Sequence, residues 1–442
     1  MITIEEALSR ASDTKKLRIG DGILGEAAAM FAEMFPGKRP VVIADPSTLA
    51  VAGKSVHESL VAAGLRPDEP HIIDAPGLHA EWKYIEELDG VLSATDAVAI
   101  AVGSGTINDL TKLSSHHCGK RYMTVATAAS MDGYTAYGAS ITKDGAKQTF
   151  SCPAPLALLA DVGVIAKAPA DMTASGYADL FAKVPAGADW IISDALGVEP
   201  IDDFSFALVQ DGLKLALSDP KGAREGKKGC IEKLIEGLVL SGFAMQAHKS
   251  SRPASGADHQ FSHLWNMENH VMADGTMPSH GFQVSIGMLM STALYEQFIS
   301  EDIENLDVEA CVAAWPSLEE AQKEAAAMFA GTDFPTIGVT EISAKYITAD
   351  ALREQLNTLK SNWAEIRRRL VAQIIPYGEA RERLAAVGAP VDPEQIGISR
   401  RRLRASFIRA QHIRRRFTIL DIAVRIGRLD AWLDRIFDAE TR

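Results

Sequence analysis

Apolar residues in the first third of the chain come in short runs: Pro40–Ala44 (PVVIA), the stretch around His71–Ile73, Ala97–Val102 (AVAIAV) and Tyr122–Ala126 (YMTVA). A run without polar alternation has no face to offer water, so each is predicted to be a strand covered on both sides. The segments between them, Thr48–Ala63 and Ala80–Ser93, space their apolar residues as helices do. Strands alternating with helices predict a parallel sheet layered by helices. Farther on, Lys143-Asp144-Gly145 separates Ala139–Thr142 from Lys147–Ser151 and predicts a β-hairpin. Pro153, Pro155 and Pro169 then punctuate the chain, and the sheet region is predicted to end there. From Ala170 onward the pattern is helical, as in Leu234–Ala247, Gly281–Ile299, Leu318–Phe329 and Ala351–Gln373, with two more helices expected within Arg400–Phe437. The expected fold is an α/β N-terminal domain with a parallel sheet, residues 1–168, and an all-α C-terminal domain, residues 169–442. Ligand sites favour the cleft between such domains, and the active site is expected there.

Composition narrows the class. With 442 residues, 47% of them hydrophobic, the chain can bury two cores. A net charge of −13 argues against a dedicated nucleic-acid binder. The basic runs Arg400–Arg404 and Arg414–Arg416 sit among acidic and apolar residues and read as solvated or interdomain helix faces. No segment approaches the roughly 20 apolar residues of a membrane span, and the opening MITIEEALSRASDTKK lacks the apolar core of a signal peptide. The four cysteines are scattered without a CxxC pair, which points to a reducing, cytoplasmic compartment and away from a zinc–thiolate site.

Two groups of residues carry candidate chemistry. Val102-Gly103-Ser104-Gly105-Thr106 follows the strongest strand and leads into a helix expected over Ile107–Ser115. Glycines let the backbone approach an anion, and a helix N-terminus supplies N–H groups to a pyrophosphate. Thr106 or Asn108 is the expected cap. Asn108 stands where a GxGxxG loop has its third glycine, so the loop alone is a weak signal, with a plain tight turn as the lesser alternative. Asp45, closing PVVIAD, suits either the ribose hydroxyls of an adenosine or a helix cap. The second group is His259 and His263, four apart and so on one helical face, with His280 in Pro278-Ser279-His280-Gly281 and Asp179 in SGYAD. Imidazoles and a carboxylate suit a borderline divalent metal. Spacing does not choose among His259, His263, His270 and His280, and the absence of HExxH leaves a zincin-type hydrolase unsupported.

Taken in order, GSGTINDLTK, VATAASMDGYTAYGASIT, SGYADLFAK, SSRPASGADHQFSHLWNME and SHGFQVSIG resemble the sn-glycerol-1-phosphate dehydrogenases, bacterial type, of the iron-containing alcohol dehydrogenase and dehydroquinate synthase superfamily. The resemblance implies a nicotinamide-binding N-terminal domain, a helical metal- and substrate-binding domain, and a cytoplasmic homo-oligomer. It implies one divalent metal on Asp179, His259 and His280, zinc by default, with nickel or iron as other occupants. His263 then falls beside the ligand set or toward the substrate. It places NAD or NADP on Gly103, Ser104, Gly105, Thr106 and Asp109, with Thr127 and Ser130 lining the nicotinamide, Asp132 near the substrate, and Asp45 favouring NAD. The activity it implies is interconversion of dihydroxyacetone phosphate and sn-glycerol 1-phosphate, with Asp132 or His263 relaying the proton.

Lys183, four residues after Asp179, stands where iron-type relatives carry a further histidine, so three ligands are expected. The family's usual Tyr-Thr-like pair is replaced here by Val184-Pro185, which puts the substrate's identity in doubt. A phosphorylated substrate needs a cation, and Arg252 is the first candidate, Lys183 the second; a salt bridge is the competing role for Arg252. A polyol dehydrogenase, a cyclising lyase of the dehydroquinate synthase kind, and a non-catalytic metabolite binder remain open on these residues.

Overall fold

The structure, a computed structural model, describes residues 2–143 and 146–439. Its strands are β1 (Lys16–Gly20), β2 (Pro40–Ala44), β3 (His71–Ile72), β4 (Val98–Gly103), β5 (Met123–Ala126), β6 (Ala139–Lys143), β7 (Ala146–Phe150) and β8 (Ala157–Asp161). Six of them form one sheet in the order β1-β8-β5-β4-β2-β3, with every pair parallel. Strand periodicity sorts its side chains into two cores. Val42, Val98, Ile100 and Val102 face the helices Ala27–Met34 and Lys54–Ala62. Val41, Ile43, Ala99 and Ala101 face the helices Trp82–Ser93 and Gly105–His117. Both faces are apolar because both are covered, which is why these strands read as unbroken apolar runs.

Two strands escaped the sequence reading. The sheet does not end at Pro155: β8 starts two residues later and lies inside the sheet between β1 and β5. A proline ahead of a strand removes no ladder N–H, so it does not bar one. Its edge partner β1 (KLRIG) alternates charge with apolar residues and is only partly buried. β6 and β7 pair antiparallel as the hairpin reading expects; the turn residues Asp144 and Gly145 lie outside the described residues.

From Ala170 on, the described residues form helices and loops without strands. The expected Ala351–Gln373 helix is two, Ala349–Ser361 and Trp363–Gln373, parted at Asn362. Among the described residues the tail holds three, Arg400–His412, Ile419–Arg425 and Leu429–Ala439. Pro185 sits in the first turn of Lys183–Ala195, just after the helix Ala170–Phe181 ends. First-turn N–H groups have no intrahelical partner, so the proline is accommodated by a break at Ala182. The chain forms two compact units: Met1–Leu180, Phe204–Ser251 and Ala386–Gly388 make the first, and Phe181–Asp203, Arg252–Ala385 and Ala389–Arg442 the second. The single cut at 168/169 is therefore too simple, because the chain returns to the first unit for Phe204–Ser251, which includes the long helix Lys228–His248.

Candidate active site

In the first unit, the connection from β2 leads outward to β3, whereas the one from β4 leads the other way to β5. The carboxyl ends of β2 and β4 therefore flank a topological switch point, where open α/β sheets bind ligands. Asp45 follows β2, and Gly103-Ser104-Gly105-Thr106 closes β4 and opens the Gly105–His117 helix. Ser104 is the N-cap, extended at φ −86° and ψ −166°, and its side chain makes no cap bond. Thr106 and Asn108 lie inside the helix, so neither caps it; buried Asn108 instead accepts from the Tyr122 hydroxyl at 3.0 Å. The first-turn N–H groups are thus left to an anion.

Asp45 caps the turn at Pro46–Thr48, its Oδ1 accepting from the N–H groups of Ser47 at 2.8 Å and Thr48 at 2.9 Å. Asp109 fastens its helix to β6 through the Ser140 N–H at 3.0 Å, with the Lys112 ammonium 3.4 Å away. Thr127 follows β5 and donates its N–H to the Gly103 carbonyl at 3.1 Å, and the Ser130 carbonyl accepts from the Ser175 hydroxyl at 3.2 Å.

Asp179 is buried on the helix Ala170–Phe181. One turn earlier, Gly176 lets that helix press on the segment after β5: a Cβ there would lie 1.9 Å from the Ala129 carbonyl oxygen. This approach brings the Asp132 N–H to 3.0 Å from Asp179 Oδ2, while Ser241 donates to Asp132 Oδ2 at 2.9 Å.

In the second unit, His259 lies on the helix Ala257–Met267 and His280 opens the helix His280–Ser300, whose N-cap is Ser279. Gly287 allows the two helices to touch, since a Cβ there would sit 2.2 Å from the Asp258 carbonyl oxygen. The His259 and His280 rings lie 5.3 Å apart. His259 Nδ1 bonds the buried Asp258 carboxylate, which fixes the tautomer with its hydrogen on Nδ1 and leaves Nε2 as the donor to a metal.

Asp179, His259 and His280 each offer a ligand atom, and these atoms all lie within 4.8 Å of one another. One carboxylate, two imidazoles and carboxylate support behind a histidine fit a divalent metal. His263 lies beside the group, its ring 6.2 Å from that of His259. His270 is a structural histidine, bonded to the Ile396 carbonyl at 2.6 Å and to Arg402 at 2.8 Å.

Lys183 is fully buried. Arg252 is buried as well, and its fork carries internal bonds: NH1 donates to the Phe417 carbonyl at 3.0 Å, NH2 to that of Asp189 at 2.9 Å, and Glu199 lies 3.2 Å from Nε. Asp189 accepts from the Tyr295 hydroxyl at 2.6 Å and from the N–H groups of Ala257 and Ile419 at 2.7 Å each. Burial pushes its carboxyl up to about 7, against the downward pull of these bonds. The basic runs also serve as ties within this unit: Arg402, with Arg409 farther along the same helix, holds Glu268, and Arg415 holds Glu341.

The sequence reading missed Asp258, Ser241, Gly176 and Gly287. Asp258 was signalled by its place next to His259; Ser241, 109 residues from Asp132, had no local signal.

Comparison with known proteins agrees with this architecture. The family model described as iron-containing alcohol dehydrogenase matches residues 18–169. The glycerol-1-phosphate dehydrogenase [NAD(P)+] of Halalkalibacterium halodurans is 35% identical over 61% of this chain and 67% of its own. That of Geobacillus stearothermophilus is 30% identical over 87% of this chain and 86% of its own. The crystal structure of a probable glycerol dehydrogenase from Sinorhizobium meliloti shares the fold at a TM-score of 0.58 and 18% identity, covering 96% of this chain and 98% of that one. Fold, donor set and relatives together define an NAD(P)-dependent, metal-containing alcohol oxidoreductase. The chain belongs to the glycerol-1-phosphate dehydrogenase family, within the iron-containing alcohol dehydrogenases. Among the described residues no helix is long and apolar enough to cross a membrane.

Proposed function

We propose that this enzyme interconverts dihydroxyacetone phosphate and sn-glycerol 1-phosphate. The observation that carries the reading is the Asp179–His259–His280 donor set, whose ligand atoms converge within 4.8 Å, in a chain 30–35% identical to the enzymes of that name cited above. We assign the metal to these three residues, zinc being the proposed occupant. When bound, the metal supplies Lewis acidity to the substrate's carbinol or carbonyl oxygen, and the nicotinamide supplies or takes the hydride.

The chain's residues supply orientation and charge. The Gly105–His117 N-terminus and the Gly103–Thr106 loop receive the cofactor pyrophosphate, and Thr127 and Ser130 line its nicotinamide half. With the cap bonds on Oδ1, Asp45 offers Oδ2 to the adenosine ribose, which favours NAD because a 2′-phosphate is repelled. Asp132 orients the Asp179 carboxylate through its backbone N–H, and His263, half-buried one turn past His259, carries the proton to solvent.

For the substrate phosphate the second candidate is preferred to the first. The fork of Arg252 already donates to two carbonyls, so Arg252 is a positioning residue that fastens the segment preceding Ile419–Arg425. Lys183 takes the phosphate role. Its ammonium is a compact charge, and removing it costs a hydrogen bond to a charged group, about 1.5–3 kcal/mol. That equals a loss of roughly ten- to more than a hundredfold in kcat/KM.

The test is steady-state reduction of dihydroxyacetone phosphate and of dihydroxyacetone, with NADH and with NADPH, by zinc- and nickel-reconstituted protein, followed by chiral analysis of the product. The expected result is a strong preference for the phosphorylated ketone, NADH favoured, and sn-glycerol 1-phosphate as product. Equal rates on the two ketones, or the opposite enantiomer, would overturn the reading. Lys183→Ala is expected to erase most of the preference for the phosphorylated ketone, whereas Arg252→Ala lowers Tm and retains that preference.

A further inference from the structure

One buried carboxyl group is bonded to both helices that bear the candidate histidine ligands. Asp189 stands in the middle of the Lys183–Ala195 helix and is fully buried. Its Oδ2 accepts from the N–H of Ala257, two residues before His259, at 2.7 Å. Its Oδ1 accepts from the Tyr295 hydroxyl at 2.6 Å, and Tyr295 belongs to the helix that His280 opens. The same Oδ1 accepts at 2.7 Å from the N–H of Ile419, where the Ile419–Arg425 helix starts. All of these residues lie in the second unit.

The local sequence makes room for this contact. Ala257 opens the His259 helix, so its N–H has no acceptor within that helix. The N-cap before it is Gly256, which brings no side chain to accept it. A Cβ at Gly256 would lie 2.3 Å from Asp189 Oδ2, so a side chain there would displace the carboxyl group. Asp189 therefore supplies from another helix the acceptor that an N-cap side chain ordinarily supplies. Arg252 holds the backbone beneath it, donating to the Asp189 carbonyl at 2.9 Å.

Tyr295 grips the second helix from farther off. At 1.5 Å per residue it lies about 22 Å along the axis from His280. A helix slides along its axis as a rod, so a bond at Tyr295 restrains the axial position of His280. The two ligand helices also touch at Gly287, where a Cβ would sit 2.2 Å from the Asp258 carbonyl oxygen. Close-packed elements transmit strain, so a shift of either helix reaches the other.

We propose that Asp189 is a positioning residue for the metal site: it fixes the His259 helix against the His280 helix and thereby the spacing of the two imidazoles. The proposal rests on the metal assignment above. Two measurements on the full-length protein test it: zinc affinity in competition with a fluorescent chelator, and the visible absorption bands of the cobalt(II)-loaded protein, which report ligand geometry. Asp189→Asn keeps the side chain's size but turns one oxygen into an N–H donor, which then faces one of the three donors. Zinc binding is expected to weaken about tenfold, the lower end of what losing a support of a ligating histidine costs, and the cobalt bands to shift. Tyr295→Phe deletes one hydroxyl and carries the test if Asp189→Asn does not fold; about threefold weaker zinc binding is expected for the loss of one hydrogen bond. The two substitutions together should cost less than the product of the single losses, because they act through one group. Leu359→Ala, at a buried leucine of the Ala349–Ser361 helix, should lower Tm yet keep the parent's zinc affinity and cobalt bands. Parent-like affinity and bands in Asp189→Asn or, failing its folding, in Tyr295→Phe, losses that multiply, or equal losses in Leu359→Ala would each overturn the proposal and leave the metal assignment standing. A parent that takes up no zinc or cobalt would overturn both.

Discussion

At the scale of single residues, side chains that bond the candidate ligands matter as much as the ligands. Asp258 is not one of the candidate ligands, yet it fixes the tautomer of His259. Removing such a support weakens metal binding about ten- to a hundredfold. Asp258→Asn is therefore expected to need that much more free zinc for half-occupancy in a competition titration with a fluorescent chelator; an unchanged titration would assign the pair to packing alone. Asp189 illustrates the cost of burying a carboxylate. Its folded-state pKa of about 7 stands above the ordinary carboxylate value of 3.8. The protonated form is thus favoured in the folded chain, so its contribution is fully present below about pH 4 and is lost as pH rises toward 7. Thermal melts across this window should show parent stability falling with pH more steeply than that of Asp189→Asn, and parallel profiles would contradict the assignment.

At the scale of elements, the apolar runs told the truth where both sheet faces are covered. β2 matched its predicted limits, and β4 and β5 are each shifted by one residue at the start. They misled where burial is partial or punctuation intervenes. β1 carries charged residues at its exposed positions, and β8 hides behind Pro153 and Pro155. The glycine loop was legible because strand, turn and helix follow in sequence; its cap was not, since Ser104 acts by backbone conformation without a side-chain bond. Close helix approaches were invisible for a different reason. Gly176 and Gly287 are ordinary helical glycines until the opposing carbonyls of Ala129 and Asp258 are in place. Gly176→Ala would drive a methyl into the Ala129 carbonyl and shift the helix that carries Asp179. It is expected to lower metal occupancy and turnover at least tenfold while circular dichroism stays close to the parent's. Normal occupancy would show that the helix yields without consequence.

At the scale of the whole molecule, resemblance supplied what periodicity did not. Spacing alone left four histidines competing, and motif order selected His259 and His280, whose ring nitrogens lie within 4.8 Å of the Asp179 carboxylate and of each other as candidate ligands. The unit boundaries were beyond the sequence pattern, because Phe204–Ser251 is helical like its surroundings and only packing assigns it to the first unit. A ligand bound only by the folded chain stabilises it by about 2.7 kcal/mol at a hundredfold excess over Kd. Chelation should therefore lower Tm by several degrees and zinc should restore it; a Tm indifferent to chelator would speak against a folded-state metal site.

In the proposed mechanism Asp179, His259 and His280 hold one catalytic metal. The most direct measurement is the metal content of the purified parent and of Asp179→Ala, His259→Ala and His280→Ala by plasma mass spectrometry, with turnover on dihydroxyacetone phosphate measured on the same samples. The expected result is close to one divalent ion per chain in the parent, and loss of both metal and turnover in all three variants. Full occupancy with undiminished turnover in any of the three would contradict it.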